Sequence, residues 1–310
     1  MGTIKSKILL IVSLLVTIII VILADIGYSE ARHDIQEDIE HRLLGTLNLE
    51  TNNFDSFFGE KKKLIANLAK TLEKVSLDKE TQVSFMKDTV SFMKVHNVIA
   101  GYYNNQYFDT AGWIPPKDYK VDSRNWYTDP LNNNKKTTVT GPFSYKDNNG
   151  KEVKYLAVGQ SMYRDGKLFG VVSSEVEAKE IDDRLKKVRI LKTGYIGLLD
   201  KEGTILINPN PKVQGKTLTD LGLPELSNYI KSKKSGKFEY TFKGKGKVVY
   251  FKYSNESPWI LTAMLEKSEI EEPLDALLTK FIIIGIVSIL VSILIVYLII
   301  TFSLKPLSDM

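Results

Sequence analysis

The chain has 310 residues, with 42 Lys and Arg against 37 Asp and Glu, and a formal charge of +5. That balance is too weakly basic for a nucleic-acid footprint. Cysteine is absent, which excludes disulfide frameworks, cysteine zinc sites, thiol nucleophiles and iron–sulfur clusters, and suits a domain outside the reducing cytosol.

Residues 8–24 and 281–304 are runs of 17 and 24 residues without a charge. A helix crosses a bilayer core with about 20 apolar residues, within a range of ~17–25. Both runs are therefore read as transmembrane helices. The first has the basic start of a secretory signal, but Ala24-Asp25-Ile26-Gly27 lacks a small-x-small cleavage site, so it is read as an uncleaved anchor. Lys5 and Lys7 precede the first run and Lys305 follows the second, while Asp25, Glu30, Glu266, Glu269, Glu271, Glu272 and Asp275 crowd the residues between. Positive charge marks the cytoplasmic flank. Residues 1–7 and the C-terminal end are accordingly placed inside the cell and 25–280 outside.

Residues 28–75 contain no proline, and Ile35, Ile39, Leu43, Leu47, Leu64, Leu68 and Leu72 recur at helical spacing. This predicts a long stalk helix continuous with the first span, whose stripe invites either a second copy of itself or the domain's own sheets. A shorter helix over 79–94 follows start signals at Ser76 and Asp78, so helices occupy 25–96. From residue 97 the pattern becomes β. Strands are expected at 98–103, 106–109, 137–140, 153–163 and 167–176, with turns at Asn148-Asn149-Gly150 and Asp165-Gly166. A helix over 178–190 then leads to a second β unit, 191–280. Its strands are expected at 195–199, 204–207, 237–242, 248–253 and 259–265, with a helix at 223–233. Asp109-Thr110-Ala111-Gly112 and Asp200-Lys201-Glu202-Gly203 repeat an Asp-x-x-Gly turn, a small sign of a duplicated module. The fold class is α+β: two tandem antiparallel-sheet modules behind a long helix.

Catalytic signals are missing. Gly215-Lys216-Thr217 has Asn210 where a P-loop needs glycine, and Gly159-Gln160-Ser161 has Tyr163 where a nucleophile elbow needs one. His33, His41 and His96 lack metal-ligand spacing. No enzyme activity, metal or cofactor is expected. The informative stretch runs from Tyr119 through Arg124 to Trp126 and Tyr127, just after Pro115-Pro116. A guanidinium fork among aromatic rings is the chemistry that holds a small carboxylate, although an arginine stacked on Trp126 to fix a loop has the same composition.

These residues resemble the double-Cache ectodomain of bacterial transmembrane receptors, most often methyl-accepting chemotaxis proteins. The resemblance rests on the long first helix, Arg124-x-Trp126-Tyr127, Gly170-Val171-Val172-Ser173-Ser174-Glu175 and the stretch Gly194 to Gly203. It also rests on Asn208-Pro209-Asn210 with Gly215-Lys216, on Ser257-Pro258-Trp259-Ile260-Leu261, and on Lys305-Pro306-Leu307, which looks like the start of a HAMP linker over 305–310. It implies two PAS-like modules, a membrane-distal one over 97–190 that binds ligand and a membrane-proximal one over 191–280. Tyr119, Arg124, Trp126 and Tyr127 would grip a ligand carboxylate. The ammonium would fall to a Tyr-x-Asp and a strand-end acid. Here the strand-end acid is Glu175, and either Tyr145 and Asp147 or, without a loop shift, Phe143 and Tyr145 take the other places. The implied protein is a homodimeric, two-pass sensor in the cell membrane for an amino acid or organic acid. It would signal to a cytoplasmic module past residue 310 and on to a kinase and adaptor. The alternative output is a histidine kinase or a cyclic-dinucleotide enzyme.

Overall fold

The computed structural model describes residues 4–74, 78–133, 135–146, 150 and 152–303. Ser76, Asp147, Asn148, Asn149 and the 305–310 segment lie outside them. Two compact units emerge, one of residues 1–42 with 266–310 and one of residues 43–265.

The first unit holds the start of α1, a single helix over Ile4–Lys74, and α6, Ser268–Ser303. Both contain stretches long and apolar enough to cross a membrane, and these stretches are unburied. Tyr28 meets Phe281 edge-on at 6.2 Å, and a Cβ on Gly27 would stand 3.1 Å from the Phe281 ring.

In the second unit, α1 continues and is followed by α2, Lys79–Met93, whose start is capped by Asp78 accepting from the Thr81 N–H at 3.0 Å. A five-stranded antiparallel sheet follows. Its strands are β1 Asn97–Tyr102, β2 Tyr107–Asp109, β3 Thr138–Lys146, β4 Glu152–Arg164 and β5 Lys167–Glu177, in the order β2-β1-β5-β4-β3. Between β2 and β3 lie a 3-10 turn, Val121–Ser123, and a short helix α3, Asn125–Leu131.

The expected helix over 178–190 is shorter: α4 is Ala178–Leu185, and Arg189–Ile190 instead forms strand β6. The second sheet continues with β7 Gly194–Asp200 and β8 Ile205–Ile207, then α5 Pro224–Ser232 and strands β9 Ser235–Phe242, β10 Lys245–Tyr253 and β11 Trp259–Glu266. Its order is β6-β7-β11-β10-β9, with β8 also on β7. With the short β6 set aside and β7 counted first, the second sheet runs 2-1-5-4-3 like the first, so the duplication is real at the level of topology. The two Asp-x-x-Gly turns are not equivalent, however. On that count Asp109 ends the second strand of its module, β2, whereas Asp200 ends the first, β7.

One face of α1 serves both modules. Ile65, Leu68, Ala69 and Leu72 join Met86 and Met93 of α2 over the first sheet, while Phe54 and Phe58 pack on Trp259 of β11 at 6.0 and 5.5 Å. The stripe from Leu43 to Leu72 is thus covered by the protein's own sheets. That corrects the expectation that it is left over for a second copy; Leu44 and Leu49 are the large apolar side chains that stay exposed on this stretch.

Strand alternation separates the two faces of the first sheet. On β1, Val98, Ala100 and Tyr102 meet the helices, whereas Ile99 joins Val121, Trp126, Tyr127, Ala157 and Val171 on the other side. β1 and β5 pair Asn97 with Glu175 and Ile99 with Ser173, and β1 pairs Ile99 with Asp109 and Gly101 with Tyr107 on β2. Directly paired residues share a face, so Asn97, Glu175, Asp109 and Tyr107 all stand on the side away from α1 and α2.

Candidate ligand site

The roof of that second face is Val121–Ser123 and α3, and two glycines let it settle. A Cβ on Gly101 would come within 2.3 Å of Val121 Cγ1 and 2.8 Å of Trp126 Cη2; on Gly159 it would meet Pro130 Cγ at 2.6 Å. Only hydrogen fits there. The Ser173 hydroxyl donates to the Trp126 carbonyl at 3.1 Å, and Thr140 hydrogen-bonds the Asp129 carboxylate, fastening both ends of α3 to the sheet.

Beside the roof lies a cavity of about 320 Å³, whose walls include Tyr107, Asp109, Trp113, Tyr119, Arg124, Trp126, Phe143, Tyr145 and Glu175. Of the residues singled out from sequence, Tyr119, Arg124, Trp126, Phe143, Tyr145 and Glu175 are brought together here. Tyr127 is not in the wall. One residue further round α3 than Trp126, its ring turns into the core towards Gly101 and Val171 and is buried. Asp147 lies outside the described residues. Phe143 and Tyr145, alternate residues of β3, fill the places that the other register would have given to Tyr145 and Asp147.

The rings form a connected box. Tyr107 meets Trp113 at 5.5 Å, Tyr119 at 5.5 Å and Trp126 at 6.1 Å, and Trp113 meets Tyr119 at 5.2 Å. All are edge-on, the geometry aromatic quadrupoles favour. The Trp126 indole N–H donates to the Tyr119 hydroxyl at 3.3 Å, and Tyr145 stacks on Tyr155 at 4.6 Å.

The acidic end of the cavity is organised by one amide. Asn97 Nδ2 donates to Asp109 Oδ2 at 2.9 Å and to Glu175 Oε2 at 3.0 Å. Its Oδ1 accepts from the backbone N–H groups of Thr110 at 3.2 Å and Ala111 at 3.1 Å, and from the Thr110 hydroxyl, which fixes the orientation of the amide. The Tyr107 hydroxyl donates to Asp109 Oδ2 at 2.8 Å, the Trp113 backbone N–H to Asp109 Oδ1 at 3.1 Å, and the Tyr145 hydroxyl to Glu175 Oε2 at 3.0 Å. Burial pushes the Glu175 carboxyl up from its ordinary 4.5 to about 7; hydrogen bonds from Asn97 and Tyr145 oppose this, and the neighbouring Asp109 charge adds to it. Burial, followed by these same acids, also drives the Tyr107 and Tyr145 hydroxyls well above their usual range.

The basic end differs. Arg124 is exposed, with its guanidinium carbon 4.5 Å above the Tyr119 ring and no ion pair to a carboxylate among the described residues. Tyr107, Asp109, Trp113 and Asn97 escaped the sequence reading. The alternation in β2 carried a signal for Tyr107 and Asp109, but Asp109 read as a turn residue, and only the pairing of β1 with β2 and β5 brings it to Glu175.

Two tandem antiparallel-sheet modules behind one long helix, with a charged cavity in the first module, define the class of fold. The sequence profile of the family described as Cache domain, in its double form dCache_1, matches residues 31–274, and the chain belongs to that family. It is 22% identical over 305 residues to the methyl-accepting chemotaxis protein McpB of Bacillus subtilis, covering 96% of this chain and 44% of McpB. The chain therefore spans less than half of that relative. Among solved structures, the ligand-binding domain of the Pseudomonas aeruginosa amino acid chemoreceptor PctB, in complex with L-Arg, superposes with a TM-score of 0.63 at 21% identity, covering 75% of this chain and 97% of that one. The ligand-binding domain of Mlp24 with asparagine gives 0.62 at 20% identity, covering 79% and 98%. At these identities the likeness to solved structures establishes the fold.

Proposed function

We propose that this chain is the sensing part of a two-pass chemotaxis receptor and that its first module binds an α-amino acid. One observation carries the ligand class. The cavity holds two carboxylates, the half-buried Asp109 and the buried Glu175, at one end and a guanidinium, Arg124, at the other, within a ring of aromatic side chains. A free amino acid presents the complementary pair, ammonium and carboxylate. Tyr119, Trp126, Phe143 and Tyr145 wall the space between, and Tyr127 supports Trp126 from below, their rings 5.8 Å apart. The names of the full-length relatives favour a chemotaxis output over a histidine kinase or cyclic-dinucleotide enzyme.

In this reading residues 25–280 lie outside the cell and both ends inside. Two copies pair, and ligand binding shifts a helix by ~1–2 Å to reach a kinase and adaptor through a module past residue 310. No catalytic step is assigned to the chain itself. The test is calorimetry on the 310-residue chain in lipid nanodiscs against the standard amino acids. Saturable binding of at least one is expected, and failure of every one would refute the ligand class. Topology is read separately with Asn104→Cys and Ser308→Cys, because the chain has no native cysteine. An impermeant thiol reagent on intact cells should label only the first.

A further inference from the structure

Three lysines converge on one hollow of the second module. Lys212 and Lys216 belong to the segment after β8, and Lys243 to the turn between β9 and β10, yet all three line the same recess of about 490 Å³. All are exposed, and none has an ion pair among the described residues. The acid in its wall, Asp220, is engaged by its own turn, accepting the Thr217 N–H at 3.1 Å. Three lysines against one acid leave the hollow with surplus positive charge, and like charges repel unless an anion joins them.

Both carriers are fixed. Asn210 accepts the Lys212 N–H at 3.1 Å, Gly215 donates to the Ile205 carbonyl at 2.8 Å, and Ile205 donates to the Lys216 carbonyl at 2.9 Å. Phe242 pairs with Lys245, so Lys243 and Gly244 form a two-residue loop, with φ of 51° and 76°. Such a type I′ turn favours asparagine, aspartate or glycine at its first central place. A lysine there is conformationally costly, and what it adds is a third ammonium at the hollow. Edge protection, a common reason for lysine on an outer strand, does not account for Lys212 and Lys216, which belong to no strand.

The chemistry suits a phosphate group. A phosphomonoester carries about two negative charges and three acceptor oxygens, one for each ammonium, whereas a single carboxylate would leave lysines unmatched. The Gly215-Lys216-Thr217 backbone is not a P-loop nest, because its N–H groups are donated to Ile205, Val213 and Asp220. Recognition falls to the side chains. Leu221 and Phe242 in the same wall give an apolar footing for the body that bears the phosphate.

We infer that this hollow is a second ligand site, separate from the cavity of the first module, and that Lys212, Lys216 and Lys243 hold a phosphate group borne on an organic molecule. The Lys243 turn stands at the end of the sheet where the chain leaves β11 for α6, because the chain reverses between β10 and β11 where the Ser254 N–H meets the Trp259 carbonyl. α6 carries an apolar stretch long enough to cross a membrane. A phospholipid headgroup and a dissolved organophosphate are thus the two sources of the same chemistry.

The test is calorimetry at constant ionic strength on the 310-residue chain in phosphatidylcholine nanodiscs. Glycerol 3-phosphate should bind saturably, and glycerol should not. Lys212→Gln, Lys216→Gln and Lys243→Gln should each weaken binding about two- to fivefold, as for exposed ion pairs, and the triple variant by more than about tenfold. Lys243→Asn is the sharpest variant: asparagine suits the turn, so Tm should rise while phosphate affinity falls. Amino acid binding should be the same in all these variants, which keeps the two sites apart. Exchanging lipids decides the source. A headgroup ligand raises the Tm of the parent, but not of the triple variant, in phosphatidylglycerol discs; a dissolved ligand leaves each Tm the same in both lipids. Absence of glycerol 3-phosphate binding, undiminished binding by the triple variant, or equal binding of glycerol would overturn the inference.

Discussion

The two sheet modules share a strand order but not an interior. In the first, the face away from α1 carries Asn97, Asp109, Glu175 and a ring of aromatics around open space. In the second, α5 and the segment before it close on Leu199, Ile205, Val213, Leu218, Leu226, Ile230, Phe251 and Ile260, and the space is filled. Two of the polar groups there satisfy one another: the Tyr195 hydroxyl lies 3.3 Å from the Met264 sulfur, and Asn208 Nδ2 donates to that hydroxyl at 3.3 Å. One topology thus leaves an open cavity when its strands place acids under the roof, and a filled core when they place leucines there.

The contrast breaks most easily in the filled module. Phe251 is 1% exposed and sits in that core. Phe251→Ala should cost about 3–5 kcal/mol, the usual loss for truncating a buried aromatic. Denaturant unfolding of the chain in nanodiscs would reveal it, whereas ligand affinity below the transition should be unchanged. A large loss of affinity in a still-folded variant would mean that the filled core also shapes the open cavity.

The open module should respond to crowding instead. Gly101→Ala places a methyl 2.3 Å from Val121 Cγ1, which forces the roof outward at about 1–3 kcal/mol. The roof carries Arg124 and Trp126, so this variant should lose ligand affinity as well as stability. Equal affinity in Gly101→Ala and the parent chain would show that the roof's position does not matter to binding.

Glu175→Gln should move stability and binding in opposite directions. The Glu175 carboxyl titrates near 7 in the fold and near its ordinary 4.5 in the unfolded chain. Folding therefore takes up a proton between those values, and ligand-free stability falls as pH rises through that window. Above pH 7 the charged, buried carboxylate is a standing cost, which glutamine removes. At pH 8 the variant should be about 1–3 kcal/mol more stable than the parent, and at pH 4 nearly equal to it. A cationic ligand needs the charged form, so parent affinity should climb as pH rises from 6 to 8. An affinity that is flat over this range would separate Glu175 from the bound cation.

Much of this was legible in the chain. Runs of apolar residues bounded by turn residues located nearly every strand; alternation is plain on the edge strand β9, whereas β1, β5 and β11 are buried on both faces. The chemistry was legible where it is local: Tyr119, Arg124 and Trp126 lie within eight residues and form one wall. It was illegible where pairing creates it. Asn97, Asp109 and Glu175 are up to 78 residues apart and meet only through the register of β1 with its two neighbours. Tyr127 was drawn into the site by adjacency to Trp126, yet a helix turns about 100° per residue and sends it to the core. The long stripe on α1 was legible as apolar but not as covered, since periodicity cannot say what a face meets.

The repeated Asp-x-x-Gly turns give the smallest and sharpest test of the comparison. Asp109 and Asp200 make the same local contact: each Oδ1 accepts the backbone N–H four residues on, from Trp113 at 3.1 Å and from Thr204 at 2.7 Å, with Gly112 and Gly203 at positive φ. Only Asp109 also takes part in the acid pair, through Asn97 and Tyr107. Removing a turn-capping acceptor typically costs about 0.5–1.5 kcal/mol, so Asp200→Ala should lower stability by that amount and leave ligand affinity untouched. Asp109→Ala loses the same turn contact and also the acceptor of Asn97 Nδ2 and of the Tyr107 hydroxyl. Its stability cost should therefore be the larger of the two, and ligand affinity should collapse. Unfolding and calorimetry on the two variants side by side would separate a residue that shapes a turn from one that also holds a cation. Matched losses of affinity would mean that the turn, not the charge at Asp109, is what the ligand needs.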